Sequence, residues 1–488
     1  MNQTMPEFLS ARPRTRLQRG AIICAAALLT GCASLSPDGG VAELQLLTAG
    51  KTAGVSATLA STASTQTDTD VAVAGLLQGP LSAESAVRIA LLNNPELQGA
   101  LATLGVSDAL RVQAGRLPNP HFALGRFKAG DTVEIERMLT FNVVGLLMLP
   151  WQAQWQNQQH ELAKLQAAQE VVRLAADTRK AWINAVAAQQ TALYMADVKE
   201  AAEASGELAR RMARLGNWSK LQQAREQMLL AEATAQLARA QQAAFSAREK
   251  LIRLMGLWGS QTNFTLAERL PDPPKTATEM TDIEARALRE RLDVRSMVAE
   301  SAYVADRLGL KKVLGYVDGL SLSRITSTTF DNAAFTKESR RGWEVELPLP
   351  LFDWGGARNA RSEGLYMQSA ARVREVAVKA RSEAREAYFG YRTAYDLARH
   401  YRDEVVPLRK FINDEIVLRY NGMLASVWDL LADTRMQIRS VNSAIDAQRD
   451  FWLAEADLQT ALTGASPGAM GGVKASAGGS GGEAAAAH

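Results

Sequence analysis

Trp343-Glu344-Val345-Glu346-Leu347-Pro348-Leu349-Pro350-Leu351-Phe352-Asp353-Trp354-Gly355-Gly356 is the stretch whose reading decides the fold. Trp343, Val345, Leu347, Leu349 and Leu351 alternate with Glu344, Glu346, Pro348 and Pro350. A period of two puts the apolar set on one face of a strand and the acids and prolines on the other. From Ala357 to about Leu418 the residues are those of a long helix, with one proline, Pro407. About 200 residues earlier the same plan occurs. There Val133, Ile135, Leu139, Phe141 and Val143 fall at odd positions, interrupted by Arg137. Gly145-Leu146-Leu147-Met148-Leu149-Pro150-Trp151 then leads into a stretch without proline up to Leu270. A plan stated twice predicts two tandem structural units.

Each unit pairs strands with helices too long for an ordinary globular domain. Trp151 to about Arg214 predicts one helix of about 60 residues, near 90 Å at 1.5 Å per residue. A reversal at Gly216-Asn217 sends a second helix back to about Leu254. Leu230, Leu237, Ala244 and Leu251 recur every seven residues on that return, a coiled-coil period. In the second unit Asn421-Gly422 marks the turn, and Leu431, Ile438, Ile445 and Trp452 repeat by seven afterwards. An upstream strand partner is expected near Gly315 to Ile325. Two strands per copy make four per chain, too few to close a barrel alone. An open apolar sheet is a liability that several chains can remove by closing it together.

The chain has 488 residues, a formal net charge of +3 and 47% hydrophobic residues. Such a balance supplies no electrostatic case for nucleic acid. At the N-terminus Arg12, Arg14, Arg16 and Arg19 precede the apolar run Ala21 to Leu29, then Leu29-Thr30-Gly31-Cys32. That order reads as a secretory signal, with a run too short to span a bilayer. Its Leu-Thr-Gly-Cys ending resembles a bacterial lipobox, in which Cys32 is lipidated. The other of the two cysteines, Cys24, is discarded with the signal, so no disulfide or thiol site is expected. The organisation is then a signal peptide over 1–31 and a lipidated low-complexity tether over 32–80, read as extended. The repeats cover 81–270 and 271–463, and a Gly/Ala-rich tail, expected to be disordered, covers 464–488. His121, His160, His400 and His488 are not at metal-ligand spacing, and no phosphate-binding loop or nucleophile elbow occurs. The sequence therefore points away from an enzyme, and no cofactor is expected.

In order and spacing these segments resemble the outer-membrane efflux proteins of the TolC family, lipoprotein type. The resemblance runs from about Leu81 to Gly464. Leu81-Ser82-Ala83-Glu84-Ser85-Ala86-Val87-Arg88-Ile89-Ala90, followed by Asn93-Asn94-Pro95-Glu96-Leu97, is similar to the family's opening. Arg291-Leu292-Asp293-Val294-Arg295 is its degraded second copy. Glu346 to Gly356 is similar to the strand-to-helix junction, and Arg419-Tyr420-Asn421-Gly422-Met423-Leu424 to a hairpin tip. The first copy departs from the pattern: its junction lacks Phe-Asp-Gly-Gly, and its tip lacks the aspartate of the second.

The resemblance implies a mainly α protein with a membrane β-barrel part. Three chains would form a 12-stranded barrel continued by an α-helical periplasmic tunnel. It implies a passive exit duct in the outer membrane, lipid-anchored, exporting small molecules or metal ions. Its partners would be a periplasmic adaptor, an inner-membrane transporter and outer-membrane lipid. The alternatives are a periplasmic adaptor lipoprotein or the duct of a type I protein secretion system. An adaptor would carry one hairpin, whereas this chain carries two. Site expectations follow. Asp429, with Asp433 at i+4, would line the periplasmic aperture. Gly216, Asn217, Asn421 and Gly422 would form tips that dock the adaptor, the glycines supplying positive φ. Trp343 and Trp354 would be membrane-interface aromatics.

Overall fold

The computed structural model describes residues 35–36, 38–52, 63–314, 320–346 and 356–466. The signal segment 1–31, Cys32, the Phe352-Asp353-Trp354 junction and the tail from residue 467 lie outside the described residues. The chain forms two compact units. One contains residues 105–160 and 309–359, and the other contains 40–104, 161–308 and 360 onward.

The first unit carries a four-stranded antiparallel sheet in the order β1-β2-β3-β4. The strands are β1 (His121–Ala129), β2 (Thr132–Asn142), β3 (Ser321–Asp331) and β4 (Thr336–Glu346). Gly130, at φ 61, makes the first hairpin turn. The second turn is set by Asp331, whose Oδ1 accepts from the amides of Ala333 and Ala334 at 2.9 and 3.0 Å. β3 therefore lies further along than the expected Gly315–Ile325. The turn ends its pairing at Asp331↔Thr336, and the full ladder runs back to Ser321↔Glu346.

Helix α5 (Val143–Arg214) starts at the end of β2, eight residues before the expected start at Trp151. Asn142 makes that start, its Oδ1 accepting from the Gly145 amide at 2.7 Å. The 72-residue helix absorbs Pro150 and spans roughly 110 Å. The return helix α6 (Lys220–Met255) matches the sequence reading. In the second copy the outgoing helix is interrupted. It runs as α9 (Gly356–His400), a π-helical turn over Tyr401–Val405, and α10 (Val406–Asn421), then returns as α11 (Val427–Thr463). Pro407 has no amide hydrogen to donate back into a regular turn. The ladder widens before it, and the Val406 amide reaches the Tyr401 carbonyl.

The remaining helices are α1 (Val41–Thr48), α2 (Ala63–Leu76), α3 (Ala83–Asn93), α4 (Pro95–Ala114), α7 (Ile283–Glu290) and α8 (Leu292–Leu314). Helix α1 corrects the reading of the tether as extended. Leu44 is fully buried in the same core as Leu81, Ile89 and Val171, so the segment gains an apolar surface that its composition did not advertise. The two largest core clusters centre one on each repeat, the first also taking in Leu292 and Ile445 of the second. The first packs α3 and α4 on the middle of α5 and the end of α6. The second stacks Tyr391 and Tyr395 of α9 around Phe451 of α11, with ring centroids 5.8 Å apart in both pairs. No described helix is long and apolar enough to cross a membrane.

Candidate functional site

Three places stand out: the sheet, the two hairpin tips, and the clasps that close each hairpin at its far end.

Facing pairs in the sheet put Phe122, Leu139, Arg324 and Trp343 in one row of one face. That face also carries Leu124, Phe141, Leu322 and Val345. The opposite face holds Glu134, Glu136, Asp331, Glu338, Glu344 and Glu346, with Arg340 as its one strand cation. On this polar face Ser327 and Thr140 bond across strands, to Glu134 and to Ser323. Trp343 is 61% exposed and lies under the Arg324 guanidinium, 5.1 Å from its ring centroid. Strands β1 and β4 are edges with unpaired backbone groups among the described residues.

The two tips share one design. At the first, Gly216 takes φ 75 and the amides of Asn217 and Trp218 return to the Met212 carbonyl. Three residues after Gly216, Ser219 caps α6 in a reciprocal box with Gln222. At the second tip the left-handed residue is Met423, at φ 59, while Gly422 sits at φ −80. This corrects the expectation that Gly422 supplies the positive φ. The amides of Leu424 and Ala425 return to Arg419, and this 6→1 closure of the helix end puts the left-handed residue just before Leu424. That position is 423. Met423 and Leu424 are 94% and 82% exposed.

Asp429 is the box partner of Ser426. Its carboxylate accepts from the Ser426 hydroxyl at 2.8 Å and the Ser426 amide at 3.1 Å. These two hydrogen bonds, the hydroxyl's foremost, hold its carboxyl below the usual carboxylate range. Asp433 is placed differently from the exposed pair expected. It is buried against α10, with Oδ1 3.3 Å from an Arg409 guanidinium nitrogen. Asp429 is thus the exposed acid of the two.

Sequence reasoning missed the clasps. In the first repeat Asn93 Nδ2 donates to the carbonyls of Met255 and Gly256, and Asn94 Nδ2 to Leu254, at the end of α6. In the second, Arg291 occupies the corresponding break between α7 and α8. It is fully buried, bonds Asp293 and Glu383, and reaches the Ala461 carbonyl near the end of α11. The signal was the repetition itself: Asn93-Asn94-Pro95 and Arg291-Leu292-Asp293 hold the same place in their repeats. The expected lipidation residue, Cys32, lies outside the described residues.

Long tandem hairpins joined to a small antiparallel sheet with two open edges define the class of architecture. No protein-family model and no curated protein sequence matches the chain. Solved structures do match in fold. The outer-membrane channel OprN is 19% identical with a TM-score of 0.64, over 78% of this chain and 90% of that one. The Campylobacter jejuni CmeC outer membrane channel is 14% identical with a TM-score of 0.63, over 79% and 86%. The open state of the Neisseria gonorrhoeae MtrE outer membrane channel is 16% identical with a TM-score of 0.61, over 78% and 88%.

Proposed function

We propose that this chain is one third of an outer-membrane exit duct in a tripartite efflux system. The observation that carries the proposal is the sheet. Four strands with both edges open cannot remain so in a membrane, where every backbone polar group needs a partner. Three copies joined edge to edge, β4 of one to β1 of the next, give twelve strands and no edge. The apolar face with Trp343 then meets lipid, and the acidic face lines water. The hairpins continue the wall as a periplasmic tunnel, and Cys32 carries a lipid that anchors each subunit. The duct has no catalytic chemistry of its own. Cargo, whether small organic molecules or metal ions, reaches it from an inner-membrane pump through a periplasmic adaptor.

The tips around Gly216, Asn217, Asn421 and Gly422 are the adaptor's docking points, supported by the exposed apolar pair Met423 and Leu424 beside them. Asp429 contributes one carboxylate per chain to an acidic aperture, and Asp433, paired with Arg409, holds the hairpin beneath it. Mass measurement of the detergent-purified protein tests the assembly. A trimer that conducts in planar bilayers is expected, and a monomer sinks the barrel.

A further inference from the structure

The lipid-facing side of the sheet is not uniformly apolar. It carries Arg126, Lys128, Arg137, Arg324, Lys337 and Arg341, all exposed, and no acid. The other face carries the six strand acids named above, so charge is sorted by face. None of the six cations has an ion-pair partner among the described residues. Arg324 and Lys337 lie over aromatic rings of the same face, Trp343 and Phe330. Charge on the lipid side of a barrel is costly at the bilayer midplane and cheap at the interface. Its position along the strands therefore matters.

Apolar and basic residues are ordered along the strands. At the end where β2 passes into α5, the rows hold Phe141, Leu322 and Val345, then Phe122, Leu139 and Trp343 with Arg324. Exposed apolar side chains continue beyond this end into the first turns of α5, at Leu146, Leu147 and Trp151. The hydrocarbon band is thus displaced toward the helices. Toward the hairpin turns the rows become basic: Arg137 and Arg341, then Arg126, then Lys128 and Lys337. Long cationic side chains on these rows reach outward to the headgroup level.

We infer that this basic margin binds the phosphates of a phosphorylated glycolipid headgroup in the outer leaflet. The inference rests on the duct reading, which puts this face in lipid and the hairpin turns outermost. The chemistry follows the rows. A lipid with several phosphates matches the paired cations through charge-assisted hydrogen bonds. Its acyl chains lie against Phe122, Leu124 and Leu139. A soluble polyanion would use the cations and leave the apolar rows bare, and a zwitterionic lipid would use the apolar rows and leave the cations unneutralised.

The test is a titration of the full-length detergent-solubilised protein with bisphosphoryl lipid A, monophosphoryl lipid A and phosphatidylcholine, read by native mass spectrometry. Wild type binds them in that order of decreasing affinity. At about 1 kcal/mol per cation near an anionic surface, R126Q/K128Q/K337Q loses affinity for bisphosphoryl lipid A on the order of a hundredfold. E134Q/E136Q on the other face, and the charge-keeping R126K/K128R/K337R, retain it. Equal wild-type binding of all three lipids overturns the inference, with no variant needed. So does an undiminished affinity in the neutralised variant. Planar-bilayer conductance separates the two readings. A conducting protein without lipid preference removes this inference alone. A non-conducting protein that prefers lipid A removes the duct and keeps the anionic-lipid surface.

Discussion

The two repeats close their hairpins at the same place with different chemistry. The first uses neutral amides, Asn93 and Asn94, against the last carbonyls of α6. The second uses a fully buried Arg291 held by Asp293 and Glu383. Burial opposes the Arg291 charge, but the hydrogen bonds and charges of the two carboxylates outweigh it. The same site gathers the residues after α11: Glu383 accepts from the Ser466 hydroxyl, and the Gly464 carbonyl accepts the amides of Leu292 and Asp293. Duplication preserved what must be satisfied, the bare carbonyls at a helix end, and left the donor free to change. The ionic version gathers more chain.

Removing the second clasp should have the largest effect. Arg291→Ala leaves two carboxylates, each partly open to water, without their buried cation, and is expected to cost about 3 kcal/mol, the low end for a broken buried pair. A fall in the urea midpoint at fixed protein concentration measures it. A loss no larger than that of Asn94→Ala would erase the contrast between the clasps. The first clasp is sharper sterically. Gly256 takes φ 66, and a Cβ there would lie 2.6 Å from the Asn93 carbonyl oxygen. Gly256→Ala should therefore cost about 1–3 kcal/mol, whereas Gly364→Ala, inside α9 with open space around it, should stabilise by about 0.5–1 kcal/mol.

The tips set a finer comparison. They place a left-handed residue three positions before the capping serine, a glycine in one and a methionine in the other. Met423→Gly should stabilise by about 0.5–1 kcal/mol, relief of left-handed strain less the entropy of glycine. Gly216→Ala should destabilise by about 1 kcal/mol. Paired thermal melts decide this, and two changes of the same sign would show that the tips are not equivalent.

The smallest effect expected is on pH. Asp429 has a lowered folded-state pKa, so its contribution to the cap is present above the ordinary carboxylate pKa. It is lost as pH falls through the lowered value. The first tip uses Gln222 in that role and should show no such dependence. Asp429→Asn should flatten the acid limb of stability, while Gln222→Glu should create one. In bilayers Asp429→Ala should raise conductance or change cation preference, and unchanged values would remove Asp429 from the aperture.

Much of the fold was legible because it is periodic. Heptad spacing on α6 and α11 and alternation on β2 and β4 state their partners' faces directly. What was illegible depended on single side chains acting over long separations. Residues 143–150 read as the end of the strand-like segment, yet Asn142 caps α5 before them. Residue type points to Gly422 for the positive φ, yet the 6→1 bond from Leu424 to Arg419 puts it on Met423. Asp433 shares a helical face with Asp429 in projection. Its partner Arg409 lies 24 residues away across the hairpin, which no local spacing reveals.

The sequence by itself determined the repetition and the order of strands and long helices, because each rests on periodicities within a few residues. Only the tertiary structure decided which chemistry closes each hairpin, which aspartate remains exposed, and that the sheet's cations and acids lie on opposite faces. The physical reason is strand register. β2 and β3 lie almost two hundred residues apart, and the pairing Arg137↔Thr326 sorts the charges of both repeats at once.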